Sequence, residues 1–421
     1  MKNIHFFLIL SAIAAGSMAQ TIYLSGQSET GTGSRALALA NNHTALSSGV
    51  ADLYWNPGAL SFSVSREIQM SLYGFRLSSA SEFFNVPAED DDLQRFRIGS
   101  AGFSIALPTT RGGMSLAGSY SNPQILDDIF RFSGKSTYND TLSDIFRSYR
   151  VTGNLNYWSM GFGMQVASGL GAGITASLIT GKGVAESLLD KEMTSGGNNA
   201  GRILDDYTSE GRYVGYDLRA GLFYKTKLVS AGIRFVVPQI IRYYDYISGT
   251  YDNYPIDETD KFTMFAPYRG AAGISLTLPV LTISADLRST LPYDFLFPVE
   301  KIPGNSQASA FKTGGGIGVE VPLVVLPLIL RAGYSLDEFD LHPYAYDFIS
   351  QPSNVKEFDW SDGGIVVTRN LHRISAGIGY TTESMSFDLS YGFSTWALTT
   401  SRNLEQTYLM HRVLASVAVR F

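Results

Sequence analysis

The run Tyr213-Val214-Gly215-Tyr216-Asp217-Leu218-Arg219-Ala220-Gly221-Leu222-Phe223-Tyr224 repeats with a period of two. Residues two apart share one face of a strand. One face therefore carries Val214, Tyr216, Leu218, Ala220, Leu222 and Tyr224, and the other carries Asp217 and Arg219. An Arg or Lys facing lipid near mid-membrane costs about 2–4 kcal/mol, so the apolar set is expected to face lipid and the charged set a lumen. The pattern recurs outward from this run. Val229, Ala231, Ile233 and Phe235 form one more apolar set, and Leu281, Ile283, Ala285 and Leu287 another. The complementary faces hold Arg234, Asp286, Arg288, Lys312, Glu320, Arg331, Arg373 and Asp388. Both signs occur, so these charges are expected to pair across neighbouring strands and brace the wall.

Similar runs fall near 67–77, 97–107, 113–121, 154–168, 172–182, 213–226, 228–237, 266–278, 280–290, 310–321, 325–336, 371–382, 385–396 and 408–421. That is about fourteen, each near the length of a tilted membrane strand. Tight turns alternate with long connections, read near 78–96, 122–153, 183–212, 238–265, 291–309 and 337–370. Short turns on one side and long loops on the other are the habit of outer-membrane barrels. The even count predicts that both termini lie on the periplasmic side. Glu89-Asp90-Asp91-Asp92 reads as a hydrated, self-repelling loop rather than a cation site.

Two ends of the chain give an address. Lys2, the apolar run Phe6–Leu10, and Ser17-Met18-Ala19 before Gln20 form a secretory signal peptide over 1–19. The last strand ends on Phe421, a terminal aromatic on an apolar face, which resembles the assembly signal that the barrel-assembly machinery recognises. Only 17% of the residues are charged, below the roughly one quarter usual for soluble chains. The formal charge of −6 provides no basic patch for nucleic acid. No Cys is present, which removes disulfides, thiolate metal sites and Cys nucleophiles. His5, His43, His342, His372 and His411 belong to no catalytic motif. Neither enzyme activity nor a cofactor or metal is expected.

Ahead of the strands, Gly33–Leu60 is different. Ala36, Leu37, Leu39, Ala40 and Leu46 have helical spacing behind Ser34, a candidate N-cap. Asp52-Leu53-Tyr54-Trp55-Asn56-Pro57-Gly58 is a turn-rich apolar knot, stopped by Pro57 and Gly58. It exposes too much apolar surface to remain in water, so residues 20–66 are expected to plug a transmembrane antiparallel β-barrel formed by 67–421. Gly161, Gly163, Gly314-Gly315-Gly316 and Gly318 remove side chains from the wall, for close approach of the plug or for barrel curvature.

Ser34, Arg35, Ala36, Ala40, Asp52, Asn56 and Pro57 resemble the opening of the long-chain fatty-acid transporter family, the OmpP1/FadL/TodX group. Ser65-Arg66-Glu67-Ile68-Gln69-Met70 resembles the first barrel strand of its Bacteroidetes members. The small residues after Pro57 stand in reversed order, Gly58 before Ala59. The resemblance implies passive outer-membrane transport of hydrophobic small molecules, by a monomer in outer-membrane lipid. Asp52, Trp55, Asn56, Pro57 and Gly58 would form the gate. A fatty-acid carboxylate needs a cation. Arg219 and Arg234 are candidates on adjacent strands, with Arg288 and Arg331 as further lumen candidates. The same opening occurs in PorV/PorQ-type accessory barrels of the type IX secretion system, which implies protein partners instead.

Overall fold

The computed structural model describes residues 21–23, 31–83, 86–87, 90–138, 141–291, 312–323, 325–338, 365–400 and 404–421. The expected signal peptide and nearly all of the expected connections 291–309 and 337–370 lie outside these.

Fourteen strands form the wall. They are β1 (Glu67–Phe83), β2 (Asp91–Leu107), β3 (Met114–Ile125, continued by Asp128–Tyr138), β4 (Thr141–Ala167), β5 (Leu170–Ser195), β6 (Asn198–Lys225) and β7 (Val229–Val236, continued by Gln239–Tyr251). The second half comprises β8 (Tyr254–Ala266 and Tyr268–Leu278), β9 (Leu281–Leu291), β10 (Lys312–Pro322), β11 (Leu328–Glu338), β12 (Ile365–Thr381), β13 (Met385–Thr400) and β14 (Leu404–Arg420). Neighbours in sequence pair antiparallel, and β14 returns to β1, with Leu404 opposite Phe83 and Arg420 opposite Glu67. The ring is closed and leaves no free edge to aggregate.

Alternation sorts the side chains as expected. Ile233 is 58% exposed and Leu287 62%, while Arg219 and Arg234 are buried inside. A belt of exposed Leu, Ile, Val and Tyr around a closed sheet is a lipid-facing surface. No helix among the described residues is long and apolar enough to cross a membrane. The wall crosses with strands.

One expectation needs correction. The described residues of the stretches 122–153, 183–212 and 238–265 are mostly paired strand and not open loops. β4 has 27 residues and β6 has 28, far beyond the 9–11 or so that span a bilayer. Their polar composition reads as loop, but pairing to a neighbour satisfies the backbone without any need for an apolar face. The segment 198–206 is the end of β6 away from the tight turns, where Arg202 pairs with Asp190 at 2.6 Å. Asp91 and Asp92, read as part of a repelling loop, begin β2 and pair with Arg150 and Arg76.

The tight turns sit together at one end. There Arg66 and Phe421 exchange backbone hydrogen bonds of 3.2 and 3.0 Å, so the barrel begins and finishes on the same side. Thr21–Tyr23 does not share that side. It adds a parallel strand to Thr263–Phe265, in the half of β8 away from the tight turns.

The plug lies across the lumen, pressed against glycines of the wall. Added Cβ atoms at Gly392, Gly377, Gly333, Gly318, Gly316 and Gly273 would meet Leu37, Ala38, Leu39, Leu39 again, Asn42 and Thr44 in turn. Continuing around the ring from Gly273 to its cross-strand partner Gly232 and beyond, Gly232 and Gly221 face Asn56, Gly173 faces Pro57, Gly163 faces Leu60 and Gly161 faces Leu53. Of the two uses expected for Gly161, Gly163, Gly316 and Gly318, close approach of the plug is the one found. Gly314 instead accommodates Asp337 of the wall.

Filling this interface should dislodge the plug and leave the ladder intact. A Gly173→Val side chain would collide with the Pro57 carbonyl, and overpacking of this kind costs about 1–3 kcal/mol. The variant is expected to remain a heat-modifiable barrel with raised conductance in planar bilayers. Unchanged conductance would show that the contact does not hold the plug.

Candidate functional site

The plug is a string of short turns. Its first helix, Ser34–Ala38, is five residues long, shorter than the apolar spacing to Leu46 suggests. Gly33, with φ of 86°, is the N-cap. Ser34 does not cap. Its hydroxyl donates to the Leu414 carbonyl at 3.0 Å and lies 2.9 Å from Ser390 Oγ. Ala40 and Asn41 turn left-handed, at φ of 53° and 67°, and end the helix. The wall wins because it satisfies the plug's polar groups from outside the helix.

Asp52–Trp55 and Pro57–Phe62 are joined by Asn56. The Asn56 side chain accepts from Gly58 N at 3.1 Å and donates to the carbonyls of Thr44 at 2.9 Å and Leu222 at 3.0 Å. One amide thus ties the turn to itself, to the rest of the plug and to β6. Pro57 starts the turn, where its missing N–H does no harm. Gly58 lies on the β6 backbone, and a Cβ there would meet Gly221 O and Phe223 N. This explains the reversed small residues: Gly is needed at 58, whereas Ala59 is fully enclosed with its methyl group. Trp55, 1% exposed, donates from Nε1 to the Thr32 carbonyl at 2.8 Å.

The structure brings all four lumen arginines onto the plug or its anchors. Arg219 donates to the Tyr54 carbonyl at 2.8 Å, stacks 3.9 Å from the Tyr54 ring and pairs with Asp217. Arg234 donates to the same carbonyl at 3.3 Å. Arg288 donates to the Asn41 carbonyl at 3.1 Å and pairs with Asp337 at 3.0 Å. Arg331 bonds Glu320 at 2.6 Å and also Asp388. The other side of Glu320 receives Arg35 of the plug, at 2.8 and 2.6 Å. Asp286 accepts from the backbone N–H groups of His43 and Thr44, at 2.8 and 2.9 Å. Plug and wall are joined by charge-assisted bonds, roughly twice as strong as neutral ones.

Two plug groups titrate unusually. Burial pushes the Asp52 carboxyl up to about 7, against the hydrogen bonds it accepts from Ser48 N–H and Ser47. Burial, reinforced by Arg35, lowers His43 to about 3 and keeps the imidazole neutral.

On the side of the plug away from the tight turns, part of the lumen is apolar. Leu37 of the plug, Tyr73, Phe75, Leu93, Trp396 and Tyr408 belong to one buried cluster, with the Trp396 and Tyr408 rings stacked 5.1 Å apart. Ile129 joins that cluster because β3 leaves the wall. Its ladder to β2 ends at Ser100 and Ser121, its ladder to β4 shifts register between Ser121 and Gln124, and Asp128–Tyr138 pairs with β4 alone. A seam opens between β2 and β3, and Asp127 bridges it, receiving Arg97 at 2.9 Å and Arg95 at 3.7 Å. Buried Arg412 and Arg373 stand within electrostatic reach of each other at the edge of this region. Arg412 lay on the inward face by alternation, but nothing local singled it out. The seam had a weak signal in Pro123, since Pro sits poorly inside a central strand.

A closed membrane barrel whose lumen is crossed by a clamped N-terminal plug, with an apolar cluster packed on the plug's face away from the tight turns, is a plugged barrel and not an open pore. Its fold is that of solved toluene-transporter barrels and of a FadL homologue. The Pseudomonas putida toluene transporter TodX superposes with a TM-score of 0.60 at 16% identity, over 94% of this chain and 99% of that one. A Pseudomonas aeruginosa FadL homologue gives 0.61 at 11% identity, over 94% and 99%. The Ralstonia pickettii toluene transporter TbuX gives 0.57 at 15%, over 93% and 99%. No protein-family model matches the sequence, and no curated protein matches it significantly.

Two outcomes follow from the clamp. Glu320→Gln leaves Arg331 buried beside one acid fewer, and breaking a buried pair costs about 3–5 kcal/mol. Conductance bursts in bilayers are expected to become frequent while the barrel persists; a silent variant would remove Glu320 from the clamp. For Asp52, a folded pKa raised above 3.8 favours the folded plug at low pH, and that contribution is lost as pH rises toward about 7. The protection of the wild-type plug from proteolysis, relative to Asp52→Asn, should therefore be greatest below pH 3.8 and shrink toward pH 7. A difference that grew with pH would contradict this.

Proposed function

We propose that the protein is a passive outer-membrane transporter of hydrophobic small molecules. The observation that carries this reading is the apolar cluster standing directly on the clamped plug, with a seam in the wall beside it. Burial among such side chains is worth about 0.8 kcal/mol per CH₂, whereas a water-filled pore offers an apolar ligand nothing. The transporters named above for toluene, and the FadL homologue, support the same reading through their shared fold. The chain would act as a monomer with the ends of its barrel in the periplasm.

In this scheme the ligand enters among the extended outer hairpins and displaces Ile129 from the cluster. It leaves through the wall at the β2–β3 seam when the Arg97–Asp127 bridge opens. Arg219, Arg234, Arg288 and Arg331 hold the plug. A ligand carboxylate would meet Arg412 and Arg373 instead.

Uptake of labelled oleate tests the reading. Cells lacking the protein should take up less than cells carrying it, and equal uptake together with a purified barrel free of lipid would end it. Arg412→Met should weaken oleate uptake by about tenfold or more, the value of a charge-assisted hydrogen bond, and toluene uptake should fall less. An equal fall for both would assign Arg412 to structure alone.

A further inference from the structure

The outside of the wall carries a pattern of charge of its own. Trp158, Leu178 and Tyr216 stand in one cross-strand row on β4, β5 and β6, and all three are exposed. Exposed Trp and Tyr collect where hydrocarbon meets the lipid headgroups. Four residues further from the tight turns, Lys182 of β5 lies opposite Arg212 of β6. Arg212 lies opposite Tyr244 of β7, and Tyr244 opposite Lys261 of β8. Arg242, opposite Val214, joins this row from the membrane side. All four cations are exposed.

Their height fits the headgroup layer. Twelve residues separate Arg212 from Tyr224, which is exposed beside the tight turn. At about 3.3 Å per residue and a tilt of about 40° that is roughly 30 Å, just beyond the roughly 25 Å apolar band of such barrels. Cations elsewhere at this end have acids. Arg76 pairs with Asp92 at 3.2 Å, Arg150 with Asp91 at 3.1 Å and Arg202 with Asp190 at 2.6 Å. Lys182, Arg212, Arg242 and Lys261 have no ion pair among the described residues. Lys261 has only the Tyr244 ring, 5.7 Å from its ammonium. The nearest acids of this face, Glu210, Glu186 and Asp257, stand further out along the strands. Like charges directly opposite on a sheet are destabilising, so Lys182 and Arg212 repel across the ladder.

A phosphate between them would turn that repulsion into attraction, since it suits both a guanidinium fork and an ammonium. The row spans three strand spacings, about 14 Å, which is the breadth of a headgroup and not of a single ion. Directly beneath it, Leu178, Val214 and Leu218 are exposed and offer acyl chains a surface. We infer that this face of β5–β8 holds an anionic membrane lipid, with its phosphate headgroup on Lys182, Arg212, Arg242 and Lys261. The lipid belongs to the leaflet away from the tight turns. The site lies outside the barrel and does not depend on what the lumen carries.

Native mass spectrometry of the full-length protein in detergent micelles tests this. Lipid A and phosphatidylglycerol serve as anionic lipids, phosphatidylcholine as a lipid whose phosphate is balanced by its own cation, and inorganic phosphate as the anion without chains. A cation near a membrane surface is worth about fivefold in affinity. At least one anionic lipid is therefore expected to bind about tenfold or more tightly than phosphatidylcholine or inorganic phosphate. The double variant Lys182→Gln, Arg212→Gln should lose most of that preference. Arg76→Gln, whose cation already has an acid, should keep it. If the double variant does not give a heat-modifiable barrel, Arg242→Gln with Lys261→Gln decides. Equal binding of phosphatidylcholine and the anionic lipids would overturn the proposal. So would inorganic phosphate binding as tightly as any lipid, or a preference that the row variants leave intact or that Arg76→Gln removes as fully.

Discussion

The structure depends on a close approach of two backbones. The plug lies against the wall on most of its strands, and it can do so because the wall carries glycine where the plug touches it. Van der Waals attraction is lost over gaps of less than an ångström, so a wall of alanine or serine would hold the plug at a distance and lose the contact along much of the circumference. The polar bonds are consequences of that proximity. Tyr54 O reaches Arg219, and the His43 and Thr44 amides reach Asp286, only because Gly221, Gly232 and Gly273 let the chain come close.

Much of this could be read from the residues. Strict alternation in Val214–Tyr224 and Leu281–Leu287 is a strong signal because lipid tolerates no inward–outward error, and every described strand expected from it exists. The inward charges were equally clear, since a charged residue has few other places to go in a membrane. What they bind was not. Arg219 and Arg234 look like ligand cations in sequence because the carbonyl they share, Tyr54 O, lies some 165 residues away along the chain. The outer hairpins escaped for another reason. Their inward face mixes Phe132, Ile145 and Tyr149 with Ser143, Arg147, Lys191 and Asp205, so burial alternates there without a clean apolar period in the sequence. The β3 seam left only Pro123 as a local trace, because it is a difference between two ladders.

The plug divides the lumen by chemistry. On its outer side Leu37, Trp396 and Tyr408 present carbon. On its other side Arg35, Glu320 and Asp388 present paired charge around a polar cavity. A greasy molecule that slipped past the plug would meet a surface that cannot solvate it, and a hydrated solute coming the other way would meet the reverse. The barrier is thus one of solubility as well as of size. The seam at Asp127, on the apolar side, is the gap in the wall that an oily solute could use without crossing it.

The hydrogen bonds between Arg66 and Phe421 also bear on how the molecule comes to exist. They close the ring with the two most distant ends of the strand series, a contact of very high sequence separation, and such contacts form slowly. The plug stands ahead of the first strand and is joined to it by only a few residues. Once the seam between β14 and β1 has zipped, a chain folded around Trp55 cannot easily be threaded in past a complete circle of strands. Synthesis delivers the guest first and the lock last. The sheet can therefore curl around an occupant already in place, and the glycines that later hold the plug leave it room as the wall closes.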